Sequence, residues 1–270
     1  MSMSNVTTNP SAEDIAKASK HDLFTYYAAK TSVNPNLDIP SVPPVMDQVL
    51  KDTVDKYGTH VAEMAVTDYQ GILQNFFVGL IGAKRILEIG SFTGSSAIYF
   101  ANALKRNGVK PGPDANGTKP ITGLDISEEF TGYARKNFDK AGVSDYVNII
   151  VGDARENLTN LIGETYDIVF IDADKTSYKF YYETVIKNNM LAKNGLMIVD
   201  NTALWEVPEF IGKPTDDAET TAIMKKPYPE CTEEEVSRTL HDFNEYIRAD
   251  PRTETIMFPI FTGVTFVRLL

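Results

Sequence analysis

The order of apolar and polar positions changes character once along the chain. In the early part apolar residues recur at helical spacing. Met46, Val49, Leu50, Val54 and Tyr57 lead to a stop at Gly58, and Ile72, Leu73, Phe76, Phe77 and Leu80 fall in a second helical segment, Tyr69 to Ile81. An earlier helix is predicted from Ser11, an N-cap with Asp14 in its acidic first turn, through about Lys30. Pro35, Pro40, Pro43 and Pro44 break regular structure after it, and residues 1–10 are polar and predicted to be disordered.

From Arg85 the pattern alternates short Ile/Val/Leu/Phe runs with amphipathic segments. Strands are predicted at 85–89, 120–124, 147–151, 167–171 and 196–200, with helices at 94–106, 128–141, 155–162 and 177–190. Such alternation implies an α/β fold, a Rossmann-like, mostly parallel sheet with right-handed crossovers and helices on both faces. The end departs from it. Glu254–Ile260, Thr262-Gly263 and Val264–Leu269 predict an antiparallel hairpin, so the last strand is reversed. The reading is one domain over 11–270, with a helical cover at 11–84 and an α/β core at 85–270. Two insertions interrupt the core. Residues 107–119 are rich in Gly, Pro and Asn, whereas 203–235 mix Trp205, Phe210 and Tyr228 with acids and prolines, in the place of a lid.

Composition narrows the partners. A chain of 270 residues with 43% apolar content can bury one large core, and a net charge of -11 argues against a phosphate backbone as partner. Cys231 is the single cysteine, which excludes an intrachain disulfide and a CxxC zinc pattern. No signal peptide is visible at the start and no apolar run reaches membrane-spanning length, so a cytoplasmic protein without a membrane partner is expected.

The chemistry stands where predicted strands end. Tyr166-Asp-Ile-Val-Phe-Ile-Asp-Ala-Asp-Lys175 and Gly195-Leu-Met-Ile-Val-Asp-Asn201 both pass from apolar runs into oxygen-bearing side chains. In an open α/β sheet the carboxyl ends of the strands form the ligand crevice, so Asp172, Asp200 and Asn201 are expected to meet there. Their oxygens suit a divalent cation. Upstream, Gly90 and Gly94 occupy a strand-to-helix turn, where Gly90 admits close backbone approach and the helix amides face the crevice. Asp125 ends the second strand, where a carboxylate can accept both hydroxyls of a ribose. Asp153 ends the third, where it can accept an adenine amino group or cap the following helix.

Taken together, EIGSFTG (88–94), LDIS (124–127), GDA (152–154), YDIVFIDADK (166–175), VDNT (199–202) and Asp250-Pro-Arg252 through Leu270 resemble the class I S-adenosylmethionine-dependent O-methyltransferases. Within these the chain is similar to the cation-dependent caffeoyl-CoA and catechol O-methyltransferase family, from about Met64 onward. The resemblance implies seven strands and a homodimer. It implies S-adenosylmethionine as cofactor, with the methionine part held by Gly90, its loop and Ser96, the ribose by Asp125, and the adenine by Asp153 and Ala154. Met64, Glu88 and Asp172 complete the expected cofactor surroundings. It also implies magnesium or calcium held by Asp172, Asp200 and Asn201, with Lys175 as general base beside Asp172 and a small phenolic acceptor.

The residues depart from the family in places. Gln70 stands where an acid is usual, Asp200-Asn-Thr-Ala-Leu-Trp205 carries one residue more than D-N-T-L-W, and the long insertion rebuilds the acceptor side. Other readings stay open on the residues alone. Each Asp can cap a loop, and Lys175 can pair with Asp174 at the surface. An NAD-dependent oxidoreductase would use a similar sheet edge, although the G-x-G-x-x-G phosphate fingerprint is absent. A catalytically silent nucleoside-binding protein would keep the same pocket, and an acceptor other than a catechol would suit the same transfer.

Overall fold

The computed structural model describes residues 18–114, 117–204 and 232–270. The chain divides into two compact units. The first comprises the residues up to Lys84 with Phe92–Ile121 and Glu129–Asn148, and the second comprises Arg85–Ser91, Thr122–Glu128 and Ile149–Leu270.

The first unit is helical. It holds α1 (Lys20–Thr31), α2 (Met46–Tyr57), the short α3 (Thr59–Ala62), α4 (Asp68–Ile81), α5 (Ser95–Arg106) and nearly all of α6 (Glu128–Ala141). The predicted stop at Gly58 is where α2 ends; α1 begins at Lys20, and Ser11 and Asp14 lie outside the described residues. Thr67 caps α4 by accepting from the Gln70 amide, 3.3 Å, which satisfies one of the otherwise unpaired first-turn N–H groups. Every residue of α5 from Ser95 to Leu104 is buried, so its polar members need partners. The Tyr99 hydroxyl donates to Asp68 Oδ1 at 2.6 Å, and burial holds this phenol well above its usual range. Gly94 precedes α5 with φ 86, and a Cβ there would stand 2.4 Å from the Phe138 ring.

Seven strands form one sheet in the order β3-β2-β1-β4-β5-β7-β6. They are β1 (Ile86–Ile89), β2 (Ile121–Asp125), β3 (Val147–Val151), β4 (Tyr166–Ile171), β5 (Leu191–Val199), β6 (Thr253–Phe258) and β7 (Val264–Leu269). β4 runs parallel to β1 and β5, with Ile89 opposite Ile171 and Ile171 opposite Val199. β7 is antiparallel to both neighbours, pairing Phe266 with Ile198 of β5 and with Ile256 of β6. The reversed last strand and the hairpin are as predicted, and the sheet is mostly parallel. Strand β5 starts earlier than its apolar run, because Leu191 already pairs with Tyr166 across a register irregularity. The polar Ala192-Lys-Asn-Gly195 stretch concealed that beginning.

The second unit also contains α7 (Ala154–Asn160), α8 (Tyr178–Lys187) after a 3₁₀ turn at Lys175–Ser177, and α9 (Glu233–Arg248). One apolar cluster joins Leu87, Val169, Ile171 and Val199 of the strands to Tyr178, Tyr182 and Val185 of α8 and to Val236, Leu240, Phe243 and Ile247 of α9. Helix α9 lies where the pattern predicts no element, and the 203–235 insertion overlaps its cap. The signal was present. Thr232 and Glu235 form a capping box, and the four buried apolar residues recur at helical spacing among charges. Trp205 and the rest of the insertion through Cys231 lie outside the described residues, as do its assignment as a lid.

Candidate active site

The carboxyl ends of five strands, β3, β2, β1, β4 and β5, lie side by side because the backbone ladder continues past the strands. Gly152 N donates to Asp125 O (2.9 Å), Gly90 N to Leu124 O (2.8 Å), Asp172 N to Ile89 O (2.8 Å) and Asp200 N to Ile171 O (2.9 Å). Adjacent strands are about 4.8 Å apart, so consecutive members of this row are near neighbours. Gly90 is the tightest point. Its φ is 93, and a Cβ would stand 2.0 Å from the Asp172 carbonyl oxygen. The close approach foreseen for Gly90 is thus made, in the first place, by the backbone of β4's exit.

The loop after β1 is fixed by carboxylates. Ser91 N donates to Asp125 Oδ2 (3.0 Å), Ser127 N donates to Asp125 Oδ1 (2.8 Å), and Ser91 Oγ donates to Glu88 Oε2 (2.6 Å). Glu88 is fully buried, so its charge needs such donors. Asp125, Glu88 and Gly90 therefore converge through Ser91, whose own role no motif in the sequence marks. Asp153 caps α7 by accepting from Arg155 N at 2.8 Å, and its carboxylate pairs with the Arg155 guanidinium at 2.6 Å. That hydrogen-bonded pairing holds Asp153 below the usual carboxylate range. The capping role weighed for this residue is the one its geometry displays, with Ala154 buried beside it at the first position of α7. Met64 and Ser96 belong to the first unit: Met64 is half-exposed after α3, and Ser96 is buried in the first turn of α5. Gln70, at the position where the family has an acid, is buried in the first turn of α4.

The second half of the site is a chain of polar contacts across β4 and β5. Lys175 is only 5% exposed, and its Nζ donates to Asp172 Oδ1 at 2.8 Å and to Tyr178 Oη at 2.7 Å. The Tyr178 hydroxyl donates in turn to the Asp200 backbone carbonyl, 2.9 Å. Lys175 is therefore not a surface partner of Asp174, which instead accepts from Tyr181 and Thr176. Burial, and then that contact with Asp174, push the Tyr181 phenol up.

Asn201 adopts a left-handed conformation, φ 54, at the exit of β5. Its Nδ2 donates to Thr262 Oγ1 at 2.7 Å and to Phe261 O at 3.4 Å, while Thr202 N and Ala203 N bond to the carbonyls of Gly263 and Thr262. The β6–β7 turn thus grips the β5 exit and commits the amide nitrogen, leaving Oδ1 as the donor atom for a ligand. Asp200 is 4% exposed. Among the described residues no three His, Cys, Asp or Glu side chains gather at one point. A cation here would need the amide oxygen of Asn201 as its third protein donor. Two carboxylates from adjacent strand ends and an amide oxygen are the hard, oxygen-only set that magnesium or calcium takes, so the residues fit the ion.

A family model described as O-methyltransferase matches residues 38–270. The chain belongs to this family. Its relatives include an Arabidopsis thaliana protein named among the caffeoyl-CoA O-methyltransferases, 29% identical over 253 residues, covering 93% of this chain and 95% of that one. The O-methyltransferase hkm8 of Aspergillus hancockii is 31% identical over 195 residues, covering 67% of this chain and 71% of its own. Among solved structures, the SAH-bound methyltransferase PaMTH1 of Podospora anserina covers 97% of this chain and 98% of its own, with a TM-score of 0.70 at 24% identity, which speaks for the fold. The protein is an O-methyltransferase of this family, and it has relatives named caffeoyl-CoA O-methyltransferases.

Proposed function

We propose that this enzyme moves a methyl group from S-adenosylmethionine to one hydroxyl of an aromatic vicinal diol held by a divalent cation. The observation that carries the reading is the run Asp172–Lys175–Tyr178–Asp200, a buried lysine Nζ held between two strand ends that each bear a carboxylate. Asp172, Asp200 and the Asn201 amide oxygen would hold the cation. When bound, it would supply positive charge that lowers the proton affinity of a phenol, which otherwise titrates near 10.

On the cofactor side, Asp125 would accept from the ribose hydroxyls with its oxygens already oriented by Ser91 and Ser127. Asp153 and Ala154 would face the adenine. Glu88 and Gly90 would border the methionine part, and Asp172 would border it from the acceptor side. Lys175 Nζ would receive the proton that leaves the acceptor hydroxyl, as the oxygen–carbon bond forms and the carbon–sulfur bond of the sulfonium breaks. Fixing donor and acceptor in line supplies much of the remaining rate.

The test is methyl transfer from labelled S-adenosylmethionine to a catechol acceptor. Activity should vanish with EDTA and return with added magnesium. Turnover that ignores EDTA would remove the cation from the account, and a panel of acceptors methylated only when they lack adjacent hydroxyls would remove the diol.

A further inference from the structure

We propose that Thr262 is a positioning residue that fixes the side-chain amide of Asn201 so that its oxygen serves the cation. The inference rests on the reading of Asp172, Asp200 and Asn201 as cation ligands. It adds to them a side chain of the β6–β7 turn that acts only through Asn201.

The β6–β7 turn is built against its own preferences. Gly263 N donates to Ile260 O at 2.9 Å, which closes a turn whose central residues, Phe261 and Thr262, have φ 51 and φ 61. Positive φ at both central positions is the pattern of a type I′ hairpin turn, where Asn-Gly is the favoured pair. A β-branched residue such as Thr is among those least suited to that conformation. Strain of this kind persists only where the surrounding structure holds it, and it gathers at functional sites.

What the strained residue holds is Asn201. Asn201 Nδ2 donates to Thr262 Oγ1 at 2.7 Å and to Phe261 O at 3.4 Å. An amide side chain presents its nitrogen to one side and its oxygen to the other, and a half-turn exchanges them. Phe261 O can only accept. The Thr262 hydroxyl proton is itself donated to Phe261 O, so Oγ1 also meets the amide as an acceptor. Both groups therefore select the nitrogen, and Oδ1 is left on the side away from the turn. The neighbouring carboxylate is tied to the same residue, because Asp200 Oδ1 accepts from Asn201 N at 2.8 Å. The turn's backbone is seated on the β5 exit without help from the hydroxyl. Thr202 N donates to Gly263 O and Ala203 N to Thr262 O, both at 2.9 Å, and a Cβ on Gly263 would stand 2.6 Å from Ala203 N. The hydroxyl of Thr262 is thus spent on the amide of Asn201 and not on holding the turn in place.

The experiment is calorimetric titration of magnesium into the metal-free full chain, for the wild type, Asn201→Ala, Thr262→Val, Thr262→Gly and Thr262→Ser. Thr262→Val keeps the branched shape and its strain, whereas Thr262→Gly relieves the strain; both lack the hydroxyl. Each should bind magnesium about 10- to 100-fold more weakly than wild type, and Thr262→Ser, which keeps the hydroxyl, should stay within about threefold of it. A residue that served only the turn would divide Val from Gly, since their backbone demands differ. Urea unfolding of each metal-free variant separates weak binding from a loss of folded protein. If Thr262→Val binds as tightly as wild type while Asn201→Ala binds weakly, the inference is overturned and the cation site stands. If Thr262→Ser is as weak as Thr262→Val, the hydroxyl is not what Asn201 needs, and the inference is again overturned. If the wild type binds no magnesium, or Asn201→Ala binds it as the wild type does, the ligand reading fails and the inference falls with it.

Discussion

Lys175 illustrates how much a single side chain can be read from its surroundings. A lysine side chain with 5% exposure is costly to bury, and it is tolerated here because a carboxylate and a phenol oxygen accept hydrogen bonds from its Nζ. Lys175→Ala is expected to lower kcat by roughly 100- to 10,000-fold while leaving S-adenosylmethionine binding intact, as measured by calorimetry beside turnover. Unchanged turnover would exclude it as the base. Gly90 offers a separate check. Gly90→Ala combines a positive φ with a methyl group 2.0 Å from a backbone oxygen, and backbone has little freedom to yield. A loss of more than about 3 kcal/mol in urea unfolding is expected. The placement of Asp172, Asp200 and Asn201 at strand ends was legible because those ends are marked by a sharp change from apolar to polar residues. Tyr178 was not, since a tyrosine at the start of a helix reads as core until the partner of its hydroxyl is known.

The helices on the second unit are joined by a second polar cluster away from the strand ends. Arg252 forms ion pairs with Asp250 and with Glu183 of α8, while the Tyr182 hydroxyl contacts both Asp250 and Thr253 and Tyr246 of α9 reaches Glu183. Arg252 holds the buried Asp250 carboxyl at about 2, against an ordinary value of 3.8. A depressed folded-state value stabilises the protein above pH 3.8 and loses that stabilisation as the pH falls toward 2. The contribution is about 2 kcal/mol at most, since Arg252 is partly exposed. Urea midpoints taken at pH 6 and pH 3 should therefore fall more steeply for the wild type than for Asp250→Asn; equal slopes would contradict the clamp. On the apolar side, Leu240→Ala in α9 should cost roughly 3 kcal/mol, because Leu240 is 0% exposed in the cluster. The strands were legible because buried parallel strands need continuous apolar runs. Helix α9 was missed because its apolar stripe is narrow and its charges made the segment resemble the insertion before it, although Thr232 and Glu235 mark its start.

Across the molecule, the alternation of strands and helices from Arg85 onward dictated the parallel sheet, and the reversal at Thr262-Gly263 dictated the antiparallel last strand. Sequence order could not reveal the two-unit division, because it depends on which segments touch after folding. No helix among the described residues is long and apolar enough to cross a membrane. Phe76 and Leu80 of α4 are 62% and 66% exposed, and Phe24 and Tyr27 of α1 are similarly open. The family resemblance implies a homodimer, in which these side chains would be covered. Light scattering should give about twice the chain mass of 30.0 kDa, and a monomeric mass would reject the dimer.

Whether the oxygen donors at the ends of β4 and β5 bind an ion is the point on which the proposed chemistry turns. Magnesium titrated calorimetrically into the metal-free wild type should show one site per chain, and the site should be lost in Asp200→Ala with the fold retained. Equal binding by both proteins, or none by the wild type, would contradict the account.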